Sequence, residues 1–247
     1  MRKGMPKVLY KYRVWDDNFH KKILENNEVY YSAPNDFEDE LDCNPPIEYP
    51  HGCELYKYFL QYSKIQHSNK NLLWHLRNAW LLYSSSPLPI PNELKIIEES
   101  NKDEFNKRFG VLSLTTRCNN AAMWFKYSDN HKGFCVGFDT QKLFSTTKCG
   151  CGDVHYHETL PPIMMLKDTT DIKIIKTIYN KEKKWEFEQE YRFHTMWENN
   201  EIIERNVRLP LNTIVEVILG KNMPEIFRHE IKEVVRNKHP QAKVLEE

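Results

Sequence analysis

Residues 185–197 read Trp185-Glu186-Phe187-Glu188-Gln189-Glu190-Tyr191-Arg192-Phe193-His194-Thr195-Met196-Trp197. Trp185, Phe187, Tyr191, Phe193 and Trp197 fall on one parity, with Gln189 and Thr195 between them, and Glu186, Glu188, Glu190, Arg192 and His194 on the other. Successive side chains of an extended chain point to opposite faces, so the alternation predicts a half-buried strand over 185–197. Such a strand sets Glu188 and Glu190 on one face about 7 Å apart, at a rise of roughly 3.3 Å per residue. Like charges at that spacing need a partner, and Arg192 is available. The face is then either solvated, with an internal ion pair, or a carboxylate pair facing a cleft.

Upstream, 8–13 reads as a first strand, and Asp16 or Asp17 caps a helix through Ile23 and Leu24. A second strand covers 29–32, and Pro34-Asn35-Asp36 turns the chain. Residues 54–109 change to helical spacing, with a Ser/Pro connector at 84–91 and a third helix from about 92 to 109. Strand character returns at 110–116, and Asn119 or Asn120 caps a helix over 121–127. The apolar run 134–138 reads as a buried strand. A short strand at 154–156, a helix over 171–184, and strands at 202–209 and 214–219 follow the same logic. A last helix starts at Pro224, and 244–245 adds an edge strand. Short strands interrupted by helices without βαβ regularity predict one α+β domain over 1–247, with a mostly antiparallel mixed sheet and a helical insertion at about 54–109.

The 247 residues carry 35 Lys plus Arg and 35 Asp plus Glu, a balance that gives no sign of a nucleic-acid wrapper. No apolar run approaches membrane-spanning length, and Met1–Pro6 has no signal-peptide core, so the expected location is the cytoplasm, with no membrane partner. There the six cysteines read as reduced thiols. Cys149 and Cys151, with His155 and His157, lack the usual ligand spacing for zinc, and no metal is expected.

Leu9–Arg13, Tyr31–Asp39, Met123-Trp124 with Tyr127, His131–Phe138, and Trp185 with Glu188, Glu190 and Arg192 stand in an order that resembles a bacterial family, domain of unknown function 2971. Its members are often met near phage-defence genes, which implies a defence role. Arg13 on the first strand, Ser113-Leu114-Thr115 on a middle strand and Glu188-Gln189-Glu190 late in the chain resemble the three marks of one branch of ADP-ribosyltransferases. That second resemblance implies an NAD-dependent ADP-ribosyltransferase-like enzyme, a toxin-like effector whose acceptor is protein or nucleic acid. The alternatives are a non-catalytic module sensing a nucleotide or phage component, and a metal-dependent nuclease.

Each candidate has a chemical reason. Glu190 as principal carboxylate and Glu188 as its partner suit an oxocarbenium-like transition state and acceptor deprotonation. Arg13 suits a bidentate clamp on the diphosphate of a dinucleotide. Ser113 and Thr115 supply positioning hydroxyls, Asn35 sits in a polar loop, and Trp124 and Tyr127 share a helix face fit for stacking on flat rings. His131 and Lys132 form a cationic turn that suits phosphate. On this reading Glu190→Gln abolishes NAD turnover and leaves folding intact, whereas Phe187→Ala costs about 3–5 kcal/mol if the ring is fully buried.

Overall fold

The computed structural model describes residues 5–85, 102–145, 150–165, 167–198, 201 and 203–247. Strand β1 is Val8–Arg13. Helix α1, Asn18–Glu25, starts where the Asp17 carboxylate accepts from the backbone N–H groups of Phe19 and His20, and it buries Ile23 and Leu24. Strand β2 is Glu28–Tyr30, a 3-10 turn covers Pro34–Asp36, and β3 is Ile47–Glu48. Helices α2, Gly52–Gln66, and α3, Leu72–Ser85, pack mainly on each other, joined in their interior by Ser63 Oγ and His75 Nδ1 at 2.9 Å. Residues 102–108 form α4. These helices stand where the sequence changes to helical spacing; most of the predicted connector and of the third helix lies outside the described residues.

Strand β4, Phe109–Thr115, leads to α5, Ala121–Tyr127, which Asn120 caps through Ala122 and Met123. Then come β5, Phe134–Asp139, and α6, Thr140–Phe144. Short strands β6, Cys151–Asp153, β7, His155–His157, and β8, Ile163–Met164, precede α7, Thr170–Ile178. The predicted helix over 171–184 is cut short because the Asn180 amide donates to the carbonyls of Ile175 and Lys176 and closes its C-terminus. Strand β9, Asn180–Glu182, and a 3-10 turn, Lys183–Glu188, take its place before β10, Glu190–Met196. The chain ends with β11, Asn206–Arg208, β12, Ile214–Leu219, α8, Glu225–Lys238, and β13, Lys243–Glu246.

Seven strands form the central sheet in the order β13-β12-β5-β1-β4-β10-β6. Every neighbouring pair is antiparallel except β12 with β13, so the fold is α+β with a mixed, mostly antiparallel sheet. The main core joins Leu9, Leu112, Leu114, Phe134, Val136, Phe138, Tyr191 and Phe193 to α1 and α8. One seam in the sheet is loose. Strand β1 follows β5 through six residue pairs but meets β4 only at Tyr10 opposite Thr115. At Val111, β4 bridges instead to Ser32. Between these two points the sheet is split, and the backbone carbonyl of Ser113 would lack a strand partner there; Lys11 Nζ donates to it at 2.7 Å.

The predicted strand over 185–197 is only half right. Strand character begins at Glu190, opposite Thr115, where β4 ends, so residues 185–188 have no strand of the sheet beside them. Gln189 turns the chain in the left-handed region, at φ 43° and ψ 54°. Trp185 and Phe187 are half-buried residues of the turn and not one face of a strand.

Candidate functional site

A cleft of about 210 Å³ opens at the split. Strand β1 contributes Lys11 and Arg13, β4 Ser113, and α5 Tyr127; the loop after the first 3-10 turn adds Asp39 and Asp42. Lys181, Trp185, Glu188 and Glu190 close the far wall. Two ties fix that wall. The Asn120 amide that caps α5 also donates to the carbonyl of Phe187, and the Trp185 indole donates to Asp39 at 2.6 Å.

Behind the wall lies a buried ion cluster. Arg192, fully buried, forks onto Glu190 through Nε to Oε1 at 2.7 Å and Nη2 to Oε2 at 2.9 Å, and reaches Asp42 at 2.8 Å. The Lys181 ammonium touches Glu188 at 2.6 Å, Asp42 at 3.2 Å and Glu190 at 3.3 Å. Tyr127 donates its hydroxyl to the other oxygen of Glu188, and Tyr156 accepts from the Glu190 backbone N–H. Glu188 and Glu190 are buried in this cluster and still border the cleft, so the pair is not solvated. Arg192 does pair internally, with Glu190, and Glu188 and Glu190 meet through a turn instead of through strand parity.

These surroundings drive the two carboxyls apart. Burial raises the pKa of Glu190, but Arg192 and then Lys181 outweigh it and hold the carboxyl at about 2. Ser113 adds a smaller lowering effect. Glu188 moves up: burial and the nearby Glu190 charge outweigh Lys181 and Tyr127. The two neighbouring carboxyls are thus displaced in opposite directions, Glu190 held as an anion and Glu188 made easier to protonate. Burial pushes the Tyr127 phenol above its ordinary range, with Glu188 adding to the effect, so it stays a donor.

Of the residues singled out in the sequence, Arg13, Ser113, Tyr127, Glu188 and Glu190 line this one cleft. Five others do not. Thr115 Oγ1 donates to the carbonyl of Gln189 and stabilises the left-handed turn. Trp124 is buried edge-on against Tyr12, its indole bonded to the carbonyl of Cys118, and packs as core. His131 stacks on Trp124 and bonds Glu247 at 2.7 Å. Lys132 pairs with Asp129 on the surface, and Asn35 is exposed in its turn.

Sequence reasoning missed Lys11, Asp42 and Lys181. Lys11 stands two residues before Arg13 and so projects from the same side of β1, a signal open to reading. Asp42 hid in an acidic run, and Lys181 in a helix that ends early. Asp42, Glu188 and Glu190 converge on the Lys181 ammonium. Among the described residues no group of three or more His, Cys, Asp or Glu is arranged to hold a metal. Cys149 lies outside them; Cys151 faces the Tyr191 hydroxyl at 3.4 Å, and His157 bonds Asn180. No described helix is long and apolar enough to cross a membrane.

The family model described as Protein of unknown function (DUF2971) matches residues 123–193. This segment belongs to DUF2971. It carries Tyr127, Lys181, Trp185, Glu188, Glu190 and Arg192, the far wall and its ion cluster; Lys11, Arg13, Asp42 and Ser113 reach the cleft from outside the DUF2971 match. No curated protein and no solved structure matches the chain.

Proposed function

We propose that the cleft binds a dinucleotide and that the protein is an NAD-using, ADP-ribosyltransferase-like enzyme. The observation that carries this reading is the pairing across one cleft of a guanidinium with no carboxylate in ion-pair contact among the described residues, Arg13, with a carboxyl displaced upward, Glu188. Arg13 stays cationic, although burial lowers its pKa to about 10, and it suits the diphosphate. The rings of Tyr127 and Trp185 supply apolar wall between the two charges. In the transfer, the bond from ribose C1′ to the nicotinamide nitrogen breaks and nicotinamide leaves with the electron pair. The acceptor oxygen or nitrogen bonds to C1′, and its proton passes to Glu188. Glu190, locked by Arg192, contributes a fixed negative charge behind it. Glu188 thus takes the principal role that the sequence assigned to Glu190.

The test is nicotinamide release from NAD by the purified protein, alone and with nucleic acid or cell lysate as acceptor. Glu188→Gln should lower release by about 100- to 1000-fold, the usual loss for one pre-placed stabilising group. Equal release by wild type and variant removes Glu188 from the mechanism. A second reading, a nucleotide-sensing module without catalysis, is favoured by the engagement of both Glu188 oxygens by Tyr127 and Lys181. It takes the lead if wild type binds NAD and releases no nicotinamide under any of these conditions.

A further inference from the structure

We propose that Lys11 and Arg13 together form a phosphoryl subsite in the split of the sheet, and that the cleft takes up one proton as a phosphorylated ligand fills it. The inference rests on the nucleotide reading for the ligand's identity and goes beyond it in naming Lys11 and the coupling.

Four cations, Lys11, Arg13, Lys181 and Arg192, surround three carboxylates, Asp42, Glu188 and Glu190. Among the described residues Lys181 and Arg192 make the ion pairs with those three. Among the described residues neither Lys11 nor Arg13 has a carboxylate within ion-pair distance. Each bonds a backbone carbonyl: Lys11 that of Ser113 at 2.7 Å, Arg13 that of Tyr12 at 3.1 Å. A three-proton ammonium and a five-proton guanidinium so placed keep donors over for a ligand. Both border the cleft and are half-buried.

The groups facing Lys11 come from four elements. Arg13 stands beside it on β1, Glu190 on β10, Glu188 in the 3-10 turn and His20 on α1. Burial, then Arg13, depress the ammonium well below the usual lysine range; Glu190 and Glu188 oppose this and lose. His20 is itself pushed down to about 4 by burial and by Arg13, so it adds no charge near neutral pH. In the empty cleft Lys11 therefore holds its proton less firmly than an ordinary lysine, beside Arg13 and with no carboxylate in contact. A phosphoryl group beside Lys11 and Arg13 supplies the anion that neither has in contact, and it favours the ammonium form of Lys11.

The experiment is isothermal titration with ADP at pH 8.5, in two phosphate-free buffers of different ionisation heat, repeated with inorganic pyrophosphate. At that pH ADP is already deprotonated, so a proton gained comes to the protein. Binding of ADP with uptake of about one proton is expected. Lys11→Arg should keep the affinity within about threefold and lose the uptake, because arginine is charged in both states. Lys11→Gln should weaken binding about tenfold or more. Thermal melts check that both variants fold, and Lys11→Arg decides the question alone if Lys11→Gln does not. Binding heat independent of buffer in wild type, undiminished uptake in Lys11→Arg, or no binding of either anion overturns the subsite. Anion binding with uptake but no nicotinamide release leaves the subsite standing and the transferase reading fallen; release without uptake does the reverse.

Discussion

At the scale of single residues, the two neighbouring glutamates separate stability from chemistry. Glu190 is the buried counterion of Arg192, so Glu190→Gln leaves two cations under-compensated and should cost about 3–5 kcal/mol in chemical denaturation. The sequence alone suggested a variant that folds normally; the forked contacts with Arg192 reverse that expectation. Glu188→Gln keeps one acceptor and removes the charge beside Lys181, but Asp42 and Glu190 still face that ammonium, so it should cost less stability than Glu190→Gln. The acid limb follows from the same pair. Folding depresses the Glu190 pKa from 4.5 to about 2. Its contribution is therefore full above pH 4.5 and is lost as pH falls through about 2. The amount is on the order of 3 kcal/mol. Denaturation midpoints measured from pH 7 to pH 2 should fall steepest in that window. Phe187 is only half-buried, so Phe187→Ala should cost less than the 3–5 kcal/mol of a full core ring, about 1–3 kcal/mol.

At the scale of elements, the turn before β10 places Glu188, and one side chain holds it. Asn120 caps α5 and at the same time bonds the carbonyl of Phe187. Asn120→Ala should cost about 1–2 kcal/mol for the cap and, by loosening Tyr127 from Glu188, lower nicotinamide release more than the stability loss explains; melts and rates on the same preparation separate the two. Gly133 does similar work for Arg13. A Cβ there would stand 2.1 Å from the Arg13 carbonyl. Gly133→Ala must push β1 away from that point, and ADP affinity should fall with it. Turn and cap chemistry of this kind was partly legible: Asp17 and Asn120 cap the helices that the sequence placed after them. The 3-10 turn was not, because Trp185-Glu186-Phe187-Glu188 keeps strand parity. Parity reports side-chain pattern, while pairing requires a partner, and β4 ends opposite Glu190.

Across the whole molecule, stability is divided between the sheet and the helical hairpin. Helices α2 and α3 bury little besides Leu55, Ser63, His75 and Ala79, whereas β5 is buried along nearly all of its length. Amide hydrogen exchange should therefore be slowest in β1, β4, β5 and β12 and faster in the hairpin, by the difference between local and global opening. Equal protection in both would mean that the hairpin unfolds only with the sheet. The sequence by itself determined the α+β class, the positions of most strands and helices, and the candidates Arg13, Ser113, Tyr127, Glu188 and Glu190, because periodicity, capping residues and charged side chains are local properties of the chain. The tertiary structure alone decided that β1 and β4 part after one residue pair, that Asp42 and Lys181 join the two glutamates, and that Lys11 is left without a counterion. Those facts depend on which strands stop pairing and which distant charges meet, and charge balance in a buried site is a sum over groups that the chain order keeps far apart.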